Sequence, residues 1–443
     1  MRIKLGFGAA CALWLGVFVS ASAPHQTPGS EQSAIPTYTR DVAPILFRNC
    51  TSCHRPGEIA PMSLMTYEDV RPQAKAIRDE VGEGHMPPWH AEAPHGTFLN
   101  ELRLTAEEKA TLLAWVSNGA PRGNPKDMPP APSYAAGWTI GKPDAVFEMQ
   151  EDYKVPADGV VQYEYFYIPT NFTEPKWVRA IEVRPGNRAA VHHVLVYYRA
   201  APDMQRSPVL QPNAAQSQVP STREPGQRLS PPKAGLPPRR IVASFAPGIN
   251  PQVMPAGTAM RLEPGGILEL QMHYTPTGKA VADRTKVGLV FATEPDLREV
   301  RAGQFINGTL KLPAGASDVA VEAEITFVQD ATVWGILPHT HLRGKRWKYV
   351  LELADGTKTT ILDVPRYDFN WQWYYMFKEP LQIPKGAKLR STAWYDNSAA
   401  NKGNPDPKMD VYWGDQTWEE MQYTGLLFSP KQPPVPAPSG GVK

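Results

Sequence analysis

The chain has 443 residues, enough for about three domains that each bury a core of their own. Its 46 Lys and Arg stand against 44 Asp and Glu, a balance that gives nucleic acid no electrostatic reason to bind. Forty-seven prolines and 34 glycines, with many Val, Tyr, Trp and Thr, exclude a chain built mainly of long helices and predict short strands and many turns.

Residues 1–23 have the layout of a secretory signal. Arg2 and Lys4 make the basic start, an apolar run continues through Val19, and Ala21-Ser22-Ala23 offers an A-x-A cleavage site. The run is too short for a membrane anchor, so no membrane span is expected after cleavage, and the mature chain is expected in the periplasm or outside the cell. Cys11 lies inside this segment, and Gly8-Ala9-Ala10 before it lack the leucine of a lipoprotein box. Cleavage leaves Cys50 and Cys53 as the only cysteines. An exported chain of this size without a disulfide framework has another use for the pair.

That use is written as CTSCH, Cys50 to His54, the C-x-x-C-H attachment signature of a c-type haem. Two thiols at this spacing can bond the haem vinyl groups while His54 reaches the iron. In TYTRDVAPILFRN, before the motif, Val42, Ile45 and Leu46 have helical spacing. The stretch LTAEEKATLLAWVSNGAP predicts a closing helix: Thr105 and Glu108 make a capping box, Leu112, Leu113 and Val116 an apolar stripe, and Gly119 with Pro121 a stop. Residues 37–122 thus resemble a small all-α cytochrome c domain. Such domains carry a sixth ligand on the loop before the last helix, here GEGHMPPWHAEAPHG. Met86 is the favoured ligand, since a thioether raises the haem potential, with His85, His90, His95 and Met62 as competitors. Trp89 and Trp115 are expected to pack on the haem.

Residues 123–137 read as a proline-rich linker, 200–240 as a low-complexity insert, and the tail from 429 to 443 as unfolded. Between them, VQYEYFYIP, WVRAIEVRP, AVHHVLVYY, ILELQMHYTP, KVGLVFATE, VAVEAEITFV, TVWGILPHTH and KYVLELADG alternate as short strands. About 290 residues exceed one sandwich, which predicts two all-β antiparallel sandwiches, residues 138–276 and 277–428.

Five of the ten histidines fall in these strands: His192, His193, His273, His339 and His341. Neighbouring strand residues point to opposite faces, so His192 and His193 can share an ion only where the strand ends, twists or bulges. His339 and His341, two apart, can face one ion directly. Five imidazoles exceed one structural site and suggest two. All-histidine ligation suits copper, zinc or iron; Met421, ahead of a late apolar strand, would select copper as a thioether if it joins the set.

The order HH, then Q-x-H-Y, then HTHLRGK, then a late E-M resembles the copper type II, ascorbate-dependent monooxygenases, the peptidylglycine and dopamine hydroxylases, over residues 140–428. The resemblance implies jelly-roll-like sandwiches and two coppers. His192, His193 and His273 would hold an electron-transfer copper. His339, His341 and Met421 would hold the catalytic one, across a solvent cleft that admits a small-molecule substrate. It further implies hydroxylation of an aliphatic C–H with O2 and an external electron donor, an ascorbate-like reductant or a redox protein. The single covalent haem c is expected to relay those electrons.

Leu337 stands where the peptidylglycine enzymes place a carboxylate-gripping Arg, and Tyr423 and Gly425 stand where they have Asn and Tyr, which argues against a peptide C-terminus as substrate. Two other function classes stay open: an exported copper-storage or electron-transfer protein, and a structural adhesion sandwich without copper.

Overall fold

The computed structural model describes residues 35–58, 60–134, 137–200, 208–218, 237, 239–246 and 251–431. The expected signal segment, most of the insert and residues 432–443 lie outside the described residues. The protein is predominantly β with few helices.

Among the described residues four α-helices lie in the N-terminal part: α1 (Ala43–Asn49), α2 (Tyr67–Val70), α3 (Ala74–Glu83) and α4 (Ala106–Ser117). The capping box that starts α4 is formed in both directions, Glu108 N–H to Thr105 Oγ1 at 3.1 Å and Thr105 N–H to Glu108 Oε2 at 2.8 Å. Their shared core contains Val42, Ile45, Leu46, Ile77, Val81, Leu112 and Trp115. Helix α4 therefore buries Leu112 and Trp115 rather than the whole stripe through Leu113 and Val116, which are half-buried.

Each alternating stretch forms a strand. In the first β region one antiparallel sheet orders Glu164–Pro169, Ile267–Tyr274, Val191–Arg199 and Arg239–Phe245. A second sheet has Lys176–Arg184 and Lys286–Phe291 at its centre. Val178, Ile181 and Leu289 from the second sheet and Val194, Leu268 and Leu270 from the first share one core. Lys286–Phe291, which follows the boundary expected at residues 276/277, pairs backwards with Lys176–Arg184.

The second β region pairs a four-stranded sheet, Arg301–Ile306, Tyr423–Pro430, Ala331–His339 and Tyr375–Ile383, with a five-stranded one. The edge of the latter is Leu210–Pro212, so a piece of the low-complexity insert is a strand on Val319–Phe327. The insert also ends earlier than expected, since Arg239 and Arg240 begin a strand. Likewise Ser429 and Pro430 close a buried strand, with Trp334 Nε1 donating to Ser429 Oγ at 2.9 Å, rather than opening a tail.

Ala331 to Pro338 is buried at every position. One face of this strand joins the second core through Val333 and Ile336, while Trp334 and Leu427 join the first. A strand covered on both faces reads as a continuous apolar run rather than an alternation. The same strand delivers His339 to the seam between the two cores.

The loop between α3 and α4 does not stay with the helices. Trp89, Ala91 and Phe98 are buried in the second β core, Phe98 pairs with Phe377, and Asn100 Nδ2 donates to the Tyr374 carbonyl at 2.7 Å. Among the described residues no helix is long and apolar enough to cross a membrane.

Candidate haem and metal centres

The CTSCH turn continues α1. Cys50 N–H bonds the Leu46 carbonyl at 2.8 Å and His54 N–H the Cys50 carbonyl at 2.9 Å. This compact turn brings Cys50, Cys53 and His54 to one cavity of about 300 Å³, walled by apolar side chains such as Leu46, Ile77, Val81 and Leu112. Both thiols are free, and burial pushes that of Cys50 up to about 12. His54 Nδ1–H donates to the Met62 carbonyl at 3.3 Å, which leaves Nε2 as the free ring nitrogen. Two free thiols, an oriented imidazole and an apolar chamber fit a covalently held haem.

Met86 and Met62 both line this cavity, whereas His85, His90 and His95 do not. His85 is exposed beside the carboxylates of Glu80 and Glu83, at 3.2 and 3.6 Å. The Met62 carbonyl is engaged by the His54 ring, and of the two methionines at the cavity Met86 is the one that would serve as a thioether ligand if haem is held there. The two tryptophans expected here are elsewhere. Trp89 packs on Tyr375 and Phe98 in the β core, and Trp115 lies inside the helical core with Nε1 on the Pro121 carbonyl at 2.9 Å. Trp371 and Trp373, from the second β region, take the wall positions instead.

His193 pairs directly with His273 across antiparallel strands, and the register slips at the next step so that Val191 meets Tyr274. His192 is the residue left over. The bulge turns its ring to the same side as its neighbour's, the condition that two adjacent strand histidines need to share an ion. One ligand atom from each of His192, His193 and His273 lies within 4.8 Å of the others. His192 Nδ1 and His193 Nδ1 are 3.3 Å apart, and His273 Nδ1 is buried with no hydrogen-bond partner. Three ring nitrogens aimed at one point, one of them orphaned, fit a metal ion better than a hydrogen-bond network.

Burial drives the pKa of His193 well below the ordinary value, helped by His273 and His192. Burial likewise lowers His273 to about 3 and, against a hydrogen bond that His192 donates to the Asn370 side chain, lowers His192. All three are therefore neutral at physiological pH, the form that binds metal.

His339 ends its strand, and His341 lies two residues beyond in the turn rather than in a strand as expected. Their ring centroids are 5.2 Å apart. His339 Nδ1 meets Gln372 Oε1 at 2.7 Å and His341 Nδ1 meets the Glu419 carbonyl at 3.2 Å, so both leave Nε2 free. Burial lowers His339 to about 4 and holds His341 well below the ordinary histidine value. Met421 borders the same cavity as both imidazoles.

Glu420 joins this turn to Met421. Its fully buried carboxylate accepts the backbone N–H of His341, of Arg343 at 3.0 Å and of Met421 at 2.9 Å. Burial outweighs these donors and raises its pKa to about 7. Two imidazoles with free Nε2 atoms and a thioether at one cavity are a donor set that fits copper.

The two histidine sets meet at that cavity, of about 130 Å³, lined by His193 and Arg239 from the first β region and by Leu337, His339, His341, Met421 and Tyr423 from the second. His192, from the first set, also walls the CTSCH cavity beside Asn370. The CTSCH cavity and the cavity of His339 and His341 thus each have a member of the His192/His193 pair in their wall.

Sequence reasoning missed the segment Phe369 to Trp373, FNWQW. It supplies Asn370, Trp371 and Trp373 to the CTSCH cavity and Gln372 to His339. Its density of aromatic and amide side chains in a loop was the available signal. Glu420 was seen only as part of a motif, because two of its three acceptor bonds reach residues nearly eighty positions away.

No protein-family model matches the chain, and no curated protein matches it. Solved structures that resemble it do so distantly. The major capsid protein P2 of bacteriophage PM2 is 9% identical, covers 67% of this chain and 99% of its own, and has a TM-score of 0.24. Allantoicase from Saccharomyces cerevisiae is 7% identical, with 63% and 80% covered and a TM-score of 0.18. The VP2 subviral particle of infectious bursal disease virus is 10% identical, with 65% and 85% covered and a TM-score of 0.17. Similarity at this level carries no argument about the chain's fold or chemistry.

Proposed function

We propose that the chain is an exported haem- and copper-containing monooxygenase that hydroxylates an aliphatic C–H of a small organic substrate with O2. In this reading it consists of a cytochrome c-like domain followed by two jelly-roll-like sandwiches, akin to the copper type II, ascorbate-dependent monooxygenases. The observation that carries it is the cavity bordered by His193 from one histidine set and by His339, His341 and Met421 from the other. Copper in the two sets, and haem on Cys50, Cys53 and His54, would supply one-electron exchange and dioxygen activation.

The chain's own residues do the rest. Neutral, buried imidazoles hold metal without a proton to displace. Gln372 and the Glu419 carbonyl fix the tautomers of His339 and His341. Leu337, Ile306 and Trp413 give the cavity apolar walls that receive a small substrate and limit water. With Leu337 in the wall there is no Arg on that strand to grip a peptide carboxylate, and Arg239, which also lines the cavity, is paired with Glu269 at 2.6 Å.

His192 is a wall of the CTSCH cavity and also a member of the first set, which supports the relay of electrons from an external donor through the haem. Stopped-flow spectra test the relay: copper reduction that proceeds unchanged after replacement of His54 or Met86 contradicts it. The same contact would serve a non-catalytic electron-transfer or copper-storage protein, and turnover separates the two readings. Met421→Ala is expected to keep most of the copper and abolish substrate-dependent oxygen consumption. A wild-type chain that consumes no oxygen with any of a panel of aromatic, amine and peptide substrates favours the storage reading.

A further inference from the structure

One side chain touches both histidine sets. The Phe369 ring stacks on His192 with centroids 5.5 Å apart and 19° between planes. The same ring stands 5.9 Å from His341 and 6.5 Å from His339, at 79° and 52°. It is 8% exposed, so the contacts are made inside the protein. The sets it joins sit on different sheets around different cores.

The backbone carrying this ring is fixed by its own loop. Phe369 O accepts Gln372 Nε2 at 3.0 Å, Trp371 N–H bonds the Asp368 carbonyl at 3.0 Å, and Asn370 N–H bonds Asp368 Oδ1 at 2.9 Å. Trp373 Nε1 ties the far end to the Pro88 carbonyl at 2.7 Å. The flanking side chains hold the histidines themselves, Asn370 on His192 and Gln372 on His339. A ring pinned in this way cannot follow one set without displacing the other.

We propose that Phe369 is a positioning residue that sets the separation of the two metal sites, acting as a spacer between the seam-facing edges of the two β regions. The proposal rests on the two-copper reading above. Each set has its donors without Phe369, so the ring governs spacing and not occupancy. The flat face matters because it stacks on His192 while its edges meet His339 and His341; a branched aliphatic side chain fills the volume but cannot make both contacts.

The test compares wild type, Phe369→Leu and Phe369→Tyr as full-length, haem-matured, copper-loaded protein. Metal analysis counts copper, and EPR of the oxidised protein reads the dipolar interaction between the two Cu(II) ions. Wild type is expected to bind two coppers with a dipolar-split signal. Phe369→Leu is expected to keep haem and both coppers while the splitting narrows, and Phe369→Tyr, which keeps the ring, to retain it. Unchanged splitting in Phe369→Leu overturns the proposal, as does loss of copper from that variant, which would make Phe369 a support of one site. Two uncoupled coppers in wild type overturn the proposal alone; fewer than two overturn the underlying reading and the proposal with it.

Discussion

His193 and His273 are cross-strand partners, and the ladder between their strands slips at the very next residue. That slip converts two adjacent strand histidines into two ligands on one side. Replacing His273 by Ala therefore removes a donor from the first set while leaving the second untouched. The expected result is one copper per chain instead of two with the haem retained, as counted by metal analysis and the haem absorption band.

Gln372 orients His339 by taking its Nδ1–H at 2.7 Å. Its replacement by Leu frees the imidazole to rotate. Loss of such an outer partner weakens metal affinity about 10- to 100-fold. Chelator competition on the Gln372→Leu chain should show that loss at the second site and no change at the first.

Metal-free protein should lose stability as the pH falls. His273 and His339 have folded pKa values of about 3 and 4, below the ordinary histidine value of 6.5. Between those limits the unfolded chain takes up protons that the folded chain refuses, so stability is full above about pH 6.5 and declines towards pH 4. Glu420, raised to about 7, works in the opposite sense: its share is present below its unfolded value of 4.5 and lost as the pH rises through 7. The five depressed histidines of the two sets, with His54 and His90 lowered by burial as well, outweigh one raised carboxyl. Urea midpoints of chelator-treated protein should be lower at pH 5 than at pH 7, with a smaller difference in His273→Gln. A midpoint that rises on acidification would falsify this assignment.

Met86 and Met62 make different predictions although both reach the CTSCH cavity. The Met62 carbonyl is engaged by the His54 ring, and with Met86 as the thioether ligand Met86→Ala should remove the methionine-ligated haem spectrum and lower the haem potential. Met62→Ala should leave both nearly unchanged. The reverse pattern in redox titrations assigns the sixth ligand to Met62.

Much of the β architecture was legible because alternation is local: Val319–Phe327 alternates buried and exposed side chains along its length, as the sequence VAVEAEITF implies. The histidine sets were legible because adjacent and i, i+2 spacings restrict which faces can meet. Long-range pairing was not. Lys286–Phe291 looks like any short strand until its partner Lys176–Arg184 is known, and Leu210–Pro212 carries no periodicity that could place it at a sheet edge. Trp89 and Trp115 sat near the CTSCH motif in sequence, yet the loop after α3 swings Trp89 into the β core. The aromatic walls come instead from Trp371 and Trp373, far along the chain.

The central claim is that one haem and two histidine-bound coppers stand in series on a single chain. Metal and haem stoichiometry, combined with EPR, on protein matured for c-type haem tests it most directly. The account predicts one haem and two coppers per chain, the second copper being lost in a His339→Ala, His341→Ala variant. A single bound metal, or two that survive removal of His339 and His341, contradicts it.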